Sequence, residues 1–367
     1  MDFRNNSANV SAQFAIQKSA INNGNEKEKG TSSEIPSDGE PLKVQASGHK
    51  AVQGNLGNQI PAVIDLGDGF ILKALQKPPR GERELNFYQH VSDEACVDSD
   101  LQMLKPFLPH FSGKIDRDGG SYLKLSNLIH GYRRPCVMDL KMGCITYDCN
   151  ATQEKILSEL KKFPPAKQLG FQITGMMIYD PVKETYEEIK KDYTRKLTEE
   201  TIVPNGLSLF FRLHGEHSRG DLLPPLLVKL RMLEQWFSIQ KKFSFIASSL
   251  LITYDGYQQL NGRPDHKLPY RSEKGQENSS EYSCISGGNR EKQAAESVPL
   301  WGKCEELSKS NGTGRSISVI SHGEQNSTDK IGLHLIDFAH VFPSDNIDHN
   351  VLFGIRKLIS CLQSMIS

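Results

Sequence analysis

One short stretch, from Pro135 to Gly143, constrains the fold of this chain more than any other. Its sequence is Pro-Cys-Val-Met-Asp-Leu-Lys-Met-Gly, an apolar run that contains one acid and one base. The run predicts a buried strand, along which side chains alternate between faces, so Asp139 and Lys141 share a face about 7 Å apart. Burying both charges is costly unless they are paired or meet a ligand. The stretch therefore predicts either a structural ion pair in a sheet or a site for a charged ligand.

Two polar segments stand apart from the rest of the chain. Residues 1–41 are rich in Asn, Ser, Gly, Glu and Lys, and residues 258–329 carry many Ser and Asn with little periodicity. Only 37% of the 367 residues are hydrophobic, which favours a chain with parts that lack a core. We expect a disordered tail over 1–41 and a disordered insertion over 258–329.

Residues 42–128 predict a nucleotide-binding lobe. Lys73 lies on the second strand of a predicted hairpin, and Glu84 lies in the first turn of the helix that follows. A further strand leads to a candidate hinge at Ser126 and Leu128. This order of strand lysine, helix glutamate, strand and hinge is typical of the nucleotide lobe of a kinase. The predicted elements are a hairpin over 62–65 and 70–75, a helix over 82–91 and a strand over 121–125.

Residues 129–367 predict a second lobe, interrupted by the insertion. The overall prediction is an α+β fold of two lobes with a nucleotide cleft between them. After the strand at 135–143 the predicted elements are a helix with Ile156, Leu160 and Phe163 on one stripe, strands over 171–179, 243–254 and 333–342, a helix over 224–242 with Leu226, Leu230, Leu233 and Phe237 inward, and a closing amphipathic helix from Val351 to Ile366.

Composition excludes several classes of protein. The formal net charge is zero, which gives no support to general nucleic-acid binding. The seven cysteines are scattered without a Cys-x-x-Cys pair, which argues against a zinc site or a disulfide framework. No apolar run is long enough to span a membrane. We expect a reduced, intracellular protein without a transmembrane segment.

The charged residues suit phosphoryl transfer, which needs positioning and charge neutralisation more than covalent chemistry. Lys73 is the candidate for the nucleotide phosphates; the alternative is a solvated lysine on an edge strand. Phosphoryl transfer also needs a carboxylate to hold magnesium, which prefers oxygen ligands. Asp337 follows an apolar run, and a carboxylate at the end of a buried strand faces a cleft or a partner cation. The alternative for Asp337 is a structural ion pair.

The Pro-x-x-x-Asp-x-Lys-x-Gly pattern of 135–143 resembles the signature of the inositol polyphosphate kinases at every fixed position. Ser248-Ser249-Leu250-Leu251 and Ile336-Asp337-Phe338-Ala339-His340 resemble two further motifs of that family, in the family's order. The resemblance covers roughly 42–256 and 331–365. It implies a kinase that uses ATP and Mg²⁺ to phosphorylate inositol phosphates.

The resemblance also implies roles for single residues. Asp139 and Lys141 are implied to be catalytic, and Asp337 and Ser249 to hold the metal. The implied nucleotide contacts are Lys73, Glu84, Ser126, Leu128, Asp139 and Asp337. The implied acceptor contacts are Arg80, Lys141, Lys162 and His340. The helix that carries Lys162 departs from the family pattern, because Ser158 and Glu159 stand where glutamines are frequent.

Residues 77–88 and the pair Tyr147-Asp148 look most like the multikinase branch of the family. That branch implies a broad range of acceptors, namely inositol trisphosphate and tetrakisphosphate and also the lipid phosphatidylinositol bisphosphate. It further implies a monomer in the nucleus and cytoplasm. The alternatives are a hexakisphosphate kinase, a trisphosphate 3-kinase, or a non-catalytic scaffold on a kinase fold. The presence of Lys73, Asp139, Lys141 and Asp337 argues against the scaffold.

Overall fold

A computed structural model describes residues 39–257 and 330–366, except residues 49, 55, 56, 94, 96, 97, 149 and 216. The expected insertion at 258–329 and most of the expected tail lie outside the described residues. The last residues of that tail are described, and Glu40 and Pro41 form a short strand paired with Asp65 and Ile64. The first lobe therefore begins before the boundary that the sequence predicts at residue 41.

The first lobe is built on a five-stranded antiparallel sheet of order β1-β4-β5-β7-β6. The predicted hairpin is confirmed as β4 and β5, with Val63 opposite Lys73. Its turn forms because Asp65 and Asp68 accept hydrogen bonds from backbone amides within it. The strands of this lobe are β1 (Glu40–Pro41), β2 (Ala51–Gln53), β3 (Gln59–Pro61), β4 (Val63–Asp65), β5 (Phe70–Ala74), β6 (Phe111–Arg117) and β7 (Gly120–Ser126).

The second lobe is built on another five-stranded antiparallel sheet, of order β10-β9-β8-β12-β13. The predicted strand at 135–143 is confirmed as β8 in the middle of this sheet, and its residues from Cys136 to Leu140 are all buried. The strands of this lobe are β8 (Pro135–Met142), β9 (Phe171–Asp180), β10 (Thr185–Ile189), β11 (Phe243–Phe245), β12 (Ser249–Asp255), β13 (Ile331–Ile336) and β14 (Val341–Pro343).

Two strands that the sequence predicts as continuous are each divided. The prediction at 243–254 is wrong at Ala247, which has a φ of 57° and separates β11 from β12. The prediction at 333–342 is wrong at Asp337, which has a φ of 67° and separates β13 from β14. A left-handed residue cannot continue a strand, so β11 and β14 turn away and pair as a separate two-stranded sheet.

The helices follow the predicted periodicity with some differences at their ends. The helices are α1 (Arg80–Ser92), α2 (Ser99–Leu104), α3 (Gln153–Lys162), α4 (Ala166–Leu169), α5 (Lys191–Thr194), α6 (Ser208–Phe210), α7 (Leu223–Ile239) and α8 (His349–Gln363). Helix α7 ends before the predicted residue 242, where the buried Gln240 side chain bonds three backbone groups. Helix α8 ends before Ile366, which is 51% exposed. Helix α3 ends at Lys162 and has no buried residue of its own. Of its predicted stripe, Leu160 is 49% exposed, whereas Phe163, just beyond the helix, is buried in the core.

The two lobes share one hydrophobic core through α1. Phe87 on α1 packs against three rings of the second lobe, with centroid distances of 5.4 Å to Phe243, 5.8 Å to Phe245 and 4.3 Å to Phe338. Tyr88 joins the same cluster and is buried. Buried residues of both lobes therefore belong to one continuous hydrophobic cluster. No helix in the described part of the chain has the length and apolar content needed to cross a bilayer.

Candidate functional site

Lys73, Glu84 and Asp337 meet where the two lobes join. The Lys73 ammonium donates to Glu84 Oε1 at 2.7 Å and to Asp337 Oδ1 at 2.6 Å. Desolvation alone would lower the pKa of Lys73, but the charges of Asp337 and Glu84 outweigh it and hold the pKa well above its ordinary value. Lys73 is therefore a fixed cation, and the expected pairing with Glu84 is present.

Asp337 lies at the break between β13 and β14, and this break determines the position of its carboxylate. Its backbone carbonyl accepts a hydrogen bond of 2.8 Å from the Ser248 hydroxyl. The next amide, that of Phe338, donates to Glu84 Oε1 at 3.3 Å. Desolvation would raise the pKa of Asp337, but the charges of Lys73 and Lys141 and the bond from Lys73 lower it below its ordinary value. The carboxylate is thus ionised at neutral pH, with 46% of the side chain exposed.

Asp139 is buried at the centre of the second sheet. The Ser47 hydroxyl donates to Asp139 Oδ2, and Thr174 Oγ1 donates to the Asp139 backbone carbonyl at 3.1 Å. Asp139 Oδ1 is buried without a hydrogen-bond partner among the described residues. Burial and the charge of Asp337 raise the pKa of Asp139, although hydrogen bonds from Ser47, Ser249 and Thr174 counteract this. A buried carboxylate with one unused oxygen is costly unless it serves a ligand.

Lys141 lies two residues along β8 on the same face as Asp139. Lys141 pairs with Ser249 on the neighbouring strand β12. Ser249 also pairs with Ile336 on β13, the residue before Asp337. Lys141 therefore stands beside Ser249 and close to Asp337, whose pKa its charge lowers. Within the described ranges Lys141 makes no ion pair with Asp139, so the alternative of a structural pair on β8 finds no support.

The oxygen groups of this site fit a divalent cation. No group of three or more His, Cys, Asp or Glu side chains suited to a metal occurs among the described residues. Magnesium, however, is usually held by one or two carboxylates together with substrate phosphates. Asp337 presents an ionised carboxylate, and the Ser249 hydroxyl lies one strand away from it. The donors present are therefore of the kind that Mg²⁺ prefers.

His340 and Arg80 lie on a second side of the site. His340 Nδ1 is 3.0 Å from Asp148 Oδ2, in the loop that follows β8. Burial lowers the pKa of His340, and the positive charges of Arg83 and Arg80 add to this, outweighing Asp148. Arg80 is exposed at the start of α1. The neighbouring Arg83 donates to the Ala339 carbonyl at 2.6 Å and so ties α1 to this loop.

Lys162 lies on α3, in the connection from β8 to β9. It donates to Glu159 Oε1 at 2.6 Å, and Lys155 donates to the same oxygen at 2.5 Å. Met142 at the end of β8 pairs with Phe171 at the start of β9. The connection that carries α3 therefore leaves and rejoins the sheet at the edge that also carries Lys141.

The predicted hinge residues lie at the end of β7 and in the turn that follows it. Ser126 ends β7, and its hydroxyl accepts a hydrogen bond from the His110 amide at 2.9 Å. Leu128 begins the turn that leads to β8 and is half-buried. Neither residue forms a hydrogen bond with the Lys73, Asp139 or Asp337 side chains in the part of the chain that the structure describes.

Sequence reasoning missed two serines that shape the site. Ser47 reaches Asp139 because the segment before β2 lies against β9. The Ala46 carbonyl comes so close to Gly175 on β9 that a Cβ at this position would clash with it. Nothing in the local sequence signals this contact. Ser248 belongs to the Ser-Ser-Leu-Leu motif, and its hydroxyl donates to the backbone carbonyl of Asp337, whereas the neighbouring Ser249 lowers the pKa of Asp139.

Comparison with known proteins gives consistent matches. The sequence profile of the family described as inositol polyphosphate kinase matches residues 122–363. The inositol polyphosphate multikinase of Homo sapiens is 32% identical over 374 residues, which cover 89% of this chain and 88% of the human protein. Inositol hexakisphosphate kinase 1 of Homo sapiens is 31% identical over 68% of this chain and 54% of its own length.

The fold resembles that of solved structures as well. A crystal structure of the inositol phosphate multikinase of S. cerevisiae, in complex with ADP and Mn²⁺, matches with a TM-score of 0.53. The two chains are 20% identical, and the match covers 81% of this chain and 99% of the yeast chain. The predicted α+β fold of two lobes is therefore confirmed.

Proposed function

Because this chain belongs to the inositol polyphosphate kinase family, we propose that it transfers the γ-phosphate of ATP to hydroxyl groups of inositol trisphosphate and tetrakisphosphate. The observation that carries this proposal is the meeting of Lys73, Asp337 and the β8 strand at one place. A lysine, an ionised carboxylate and a second lysine are the charges that phosphoryl transfer requires. Relatives named multikinases align over most of both chains, which favours that branch.

Each residue has a proposed role in nucleotide binding. Lys73, oriented by Glu84, holds the nucleotide phosphates. Asp337 and the Ser249 hydroxyl would hold Mg²⁺, and the chemistry that Mg²⁺ would supply there is neutralisation of phosphate charge. Ser126 and Leu128 border the base at the hinge between the lobes.

The transfer itself is assigned to β8. Lys141 faces the charge that develops on the transferred phosphoryl group. The acceptor hydroxyl attacks phosphorus while the bond to the β-phosphate oxygen breaks and ADP leaves. The unused Oδ1 of Asp139 accepts the hydroxyl proton, a role that suits a carboxylate whose pKa is raised by burial. Arg80, Lys162 and His340 hold the phosphates and hydroxyls of the acceptor.

Incubation of the purified protein with ATP, Mg²⁺ and a panel of inositol phosphates tests the proposal. We expect ADP release coupled to phosphorylation of the trisphosphate and tetrakisphosphate. Product mapping identifies the hydroxyl groups used. Absence of transfer to every acceptor at saturating ATP and Mg²⁺ would overturn the proposal, and transfer to the hexakisphosphate alone would favour the hexakisphosphate kinase branch.

The proposal extends to a lipid acceptor and to the setting in which the protein works. The phosphatidylinositol bisphosphate headgroup presents the same class of phosphates to Arg80 and Lys162, and vesicles that contain this lipid test its use.

We also propose a monomer in the nucleus and cytoplasm. Sedimentation of the purified chain and imaging of a fluorescent fusion test these two points.

A further inference from the structure

Glu159 on α3 is held by two lysines at once. Its Oε1 lies 2.5 Å from the Lys155 ammonium and 2.6 Å from the Lys162 ammonium. The Glu159 side chain is only 12% exposed, whereas Lys155 is 56% and Lys162 41% exposed. The two cations thus cover the carboxylate rather than projecting freely into solvent.

Helix stability accounts for only part of this arrangement. In the pair with Lys162 the glutamate comes first, which is the favourable order on a helix, but in the pair with Lys155 the lysine comes first, which is the less favourable order. Burial would raise the pKa of Glu159, but hydrogen bonds from Lys155 and Lys162 outweigh it and lower the pKa below its ordinary value. The carboxylate therefore stays charged at neutral pH and keeps both lysines engaged.

The connection that carries α3 begins and ends beside the candidate site. The connection that carries it leaves the sheet after Met142 and returns at Phe171, which pair across β8 and β9 next to Lys141. The start of the connection is tied to the Asp337 loop by Asp148 and His340. Helix α3 begins only five residues after Asp148, which keeps its start within reach of a polyanion in contact with Lys141 and His340.

We propose that Glu159 is a built-in counter-anion that competes with acceptor phosphates for Lys155 and Lys162, and so limits how strongly the enzyme favours highly phosphorylated acceptors. The inference rests on the proposed function and assigns a specificity-determining residue to that site. A phosphate that approaches α3 must displace at least one ion pair before it gains a cation. An acceptor without a phosphate at this position does not meet that barrier.

The variant Glu159→Gln tests this role, because the amide keeps the size and one acceptor oxygen but removes the charge. We expect KM for inositol tetrakisphosphate to fall by about fivefold, with a smaller change for the trisphosphate and kcat within about twofold of wild type. Glu154→Gln is the matched control. Glu154 lies on the same helix, so this substitution removes the same charge and leaves both ion pairs of Glu159 in place. The double variant Lys155→Ala, Glu159→Gln is expected to lose part of the gain.

A second readout does not depend on turnover. Titration calorimetry with inositol hexakisphosphate, without nucleotide, is expected to show tighter binding by Glu159→Gln than by wild type or Glu154→Gln. Equal KM values and equal affinities in an active enzyme would overturn the inference and leave the proposed function standing. An equal gain in Glu154→Gln would overturn it too, since bulk charge would then explain the effect. Tighter calorimetric binding by an inactive protein would support the counter-anion and overturn the proposed function.

Discussion

The Ser248 hydroxyl donates a 2.8 Å hydrogen bond to the backbone carbonyl of Asp337. Each residue lies at a point where a strand is interrupted, since Ala247 and Asp337 both have left-handed backbones. The bond fixes one interruption to the other. The Asp337 carboxylate consequently projects from a sheet edge towards Lys73 on the opposite lobe.

Replacement of Asp337 by Asn is expected to abolish turnover without unfolding the protein. Asparagine adopts a left-handed backbone at least as readily as aspartate, so the φ of 67° can be kept. Loss of the charge that holds the metal against the phosphates should cost at least about a thousandfold in kcat. Turnover and melting temperature are measured on the same preparation, with the exposed Asp345→Asn as control. An early-melting mutant with near-normal turnover would mean that Asp337 is only structural.

Replacement of Lys141 by Ala is expected to slow transfer by at least about a hundredfold, because it removes a cation that faces developing charge. The loss should appear in kcat and not only in KM, since the charge grows towards the transition state. Steady-state kinetics with ATP and inositol trisphosphate measure both. The exposed Lys196→Ala serves as the control for loss of a positive charge. A change in KM alone would assign Lys141 to substrate binding.

Replacement of Ser47 by Ala tests how Asp139 is tuned. Burial and Asp337 raise the pKa of Asp139, and the Ser47 hydroxyl opposes them by stabilising the ionised carboxylate. Its removal should raise that pKa further, so the acid limb of kcat/KM moves to higher pH. We expect kcat/KM of the variant to be about tenfold below that of wild type on the acid side of neutrality and to equal it in alkaline buffer. Ser47→Thr keeps a hydroxyl and should restore the profile; a loss that is uniform with pH would contradict this role.

Part of the fold follows from local sequence alone. The alternation along 135–143 predicts β8, and the Gly-Asp-Gly turn predicts the hairpin that carries Lys73. Glu84 lies eleven residues beyond Lys73, and a helix of ordinary length after the hairpin brings the two together. These features depend on periods of two or 3.6 residues and on turn chemistry, which a single sequence displays directly.

Other parts depend on contacts that no local pattern displays. The interruption at Ala247 falls within an apolar run, and alanine gives no sign of a left-handed backbone. Ser47 lies 92 positions from Asp139, so its contact exists only after both lobes have formed. The apolar stripe of α3 predicts a helix, but periodicity does not reveal whether another element covers it.

Removal of residues 1–38, with residues 258–329 replaced by a short Gly-Ser linker, is expected to leave turnover nearly intact. Tyr254 on β12 pairs with Ile331 on β13, so the two strand ends that the linker joins lie about 5 Å apart. A hairpin-sized connection is therefore long enough. Turnover and melting temperature of the shortened chain are compared with those of the full chain. Inactivity or unfolding would show that the removed residues contribute to the catalytic unit.

Replacement of Phe87 by Ala is expected to destabilise the whole protein by about 3–5 kcal/mol, because the ring fills the core that both lobes share. Denaturant unfolding measures the change. Val228→Ala, at a side chain that is 61% exposed, should change stability by no more than about 0.5 kcal/mol. Independent unfolding of one lobe in the Phe87 mutant, seen as two transitions, would contradict a common core.

Helix α1 belongs to the first lobe by sequence and to the second by packing. An outward swing of this helix would separate Lys73 from Glu84, break the bond from Arg83 to Ala339 and expose Phe87. In protein kinases the corresponding helix is a movable part that controls activation. In this protein α1 contributes Phe87 to the core that both lobes share, so removing the helix from its place would disrupt that core. Any outward movement of α1 therefore carries the free-energy cost of exposing apolar surface that the two lobes bury together.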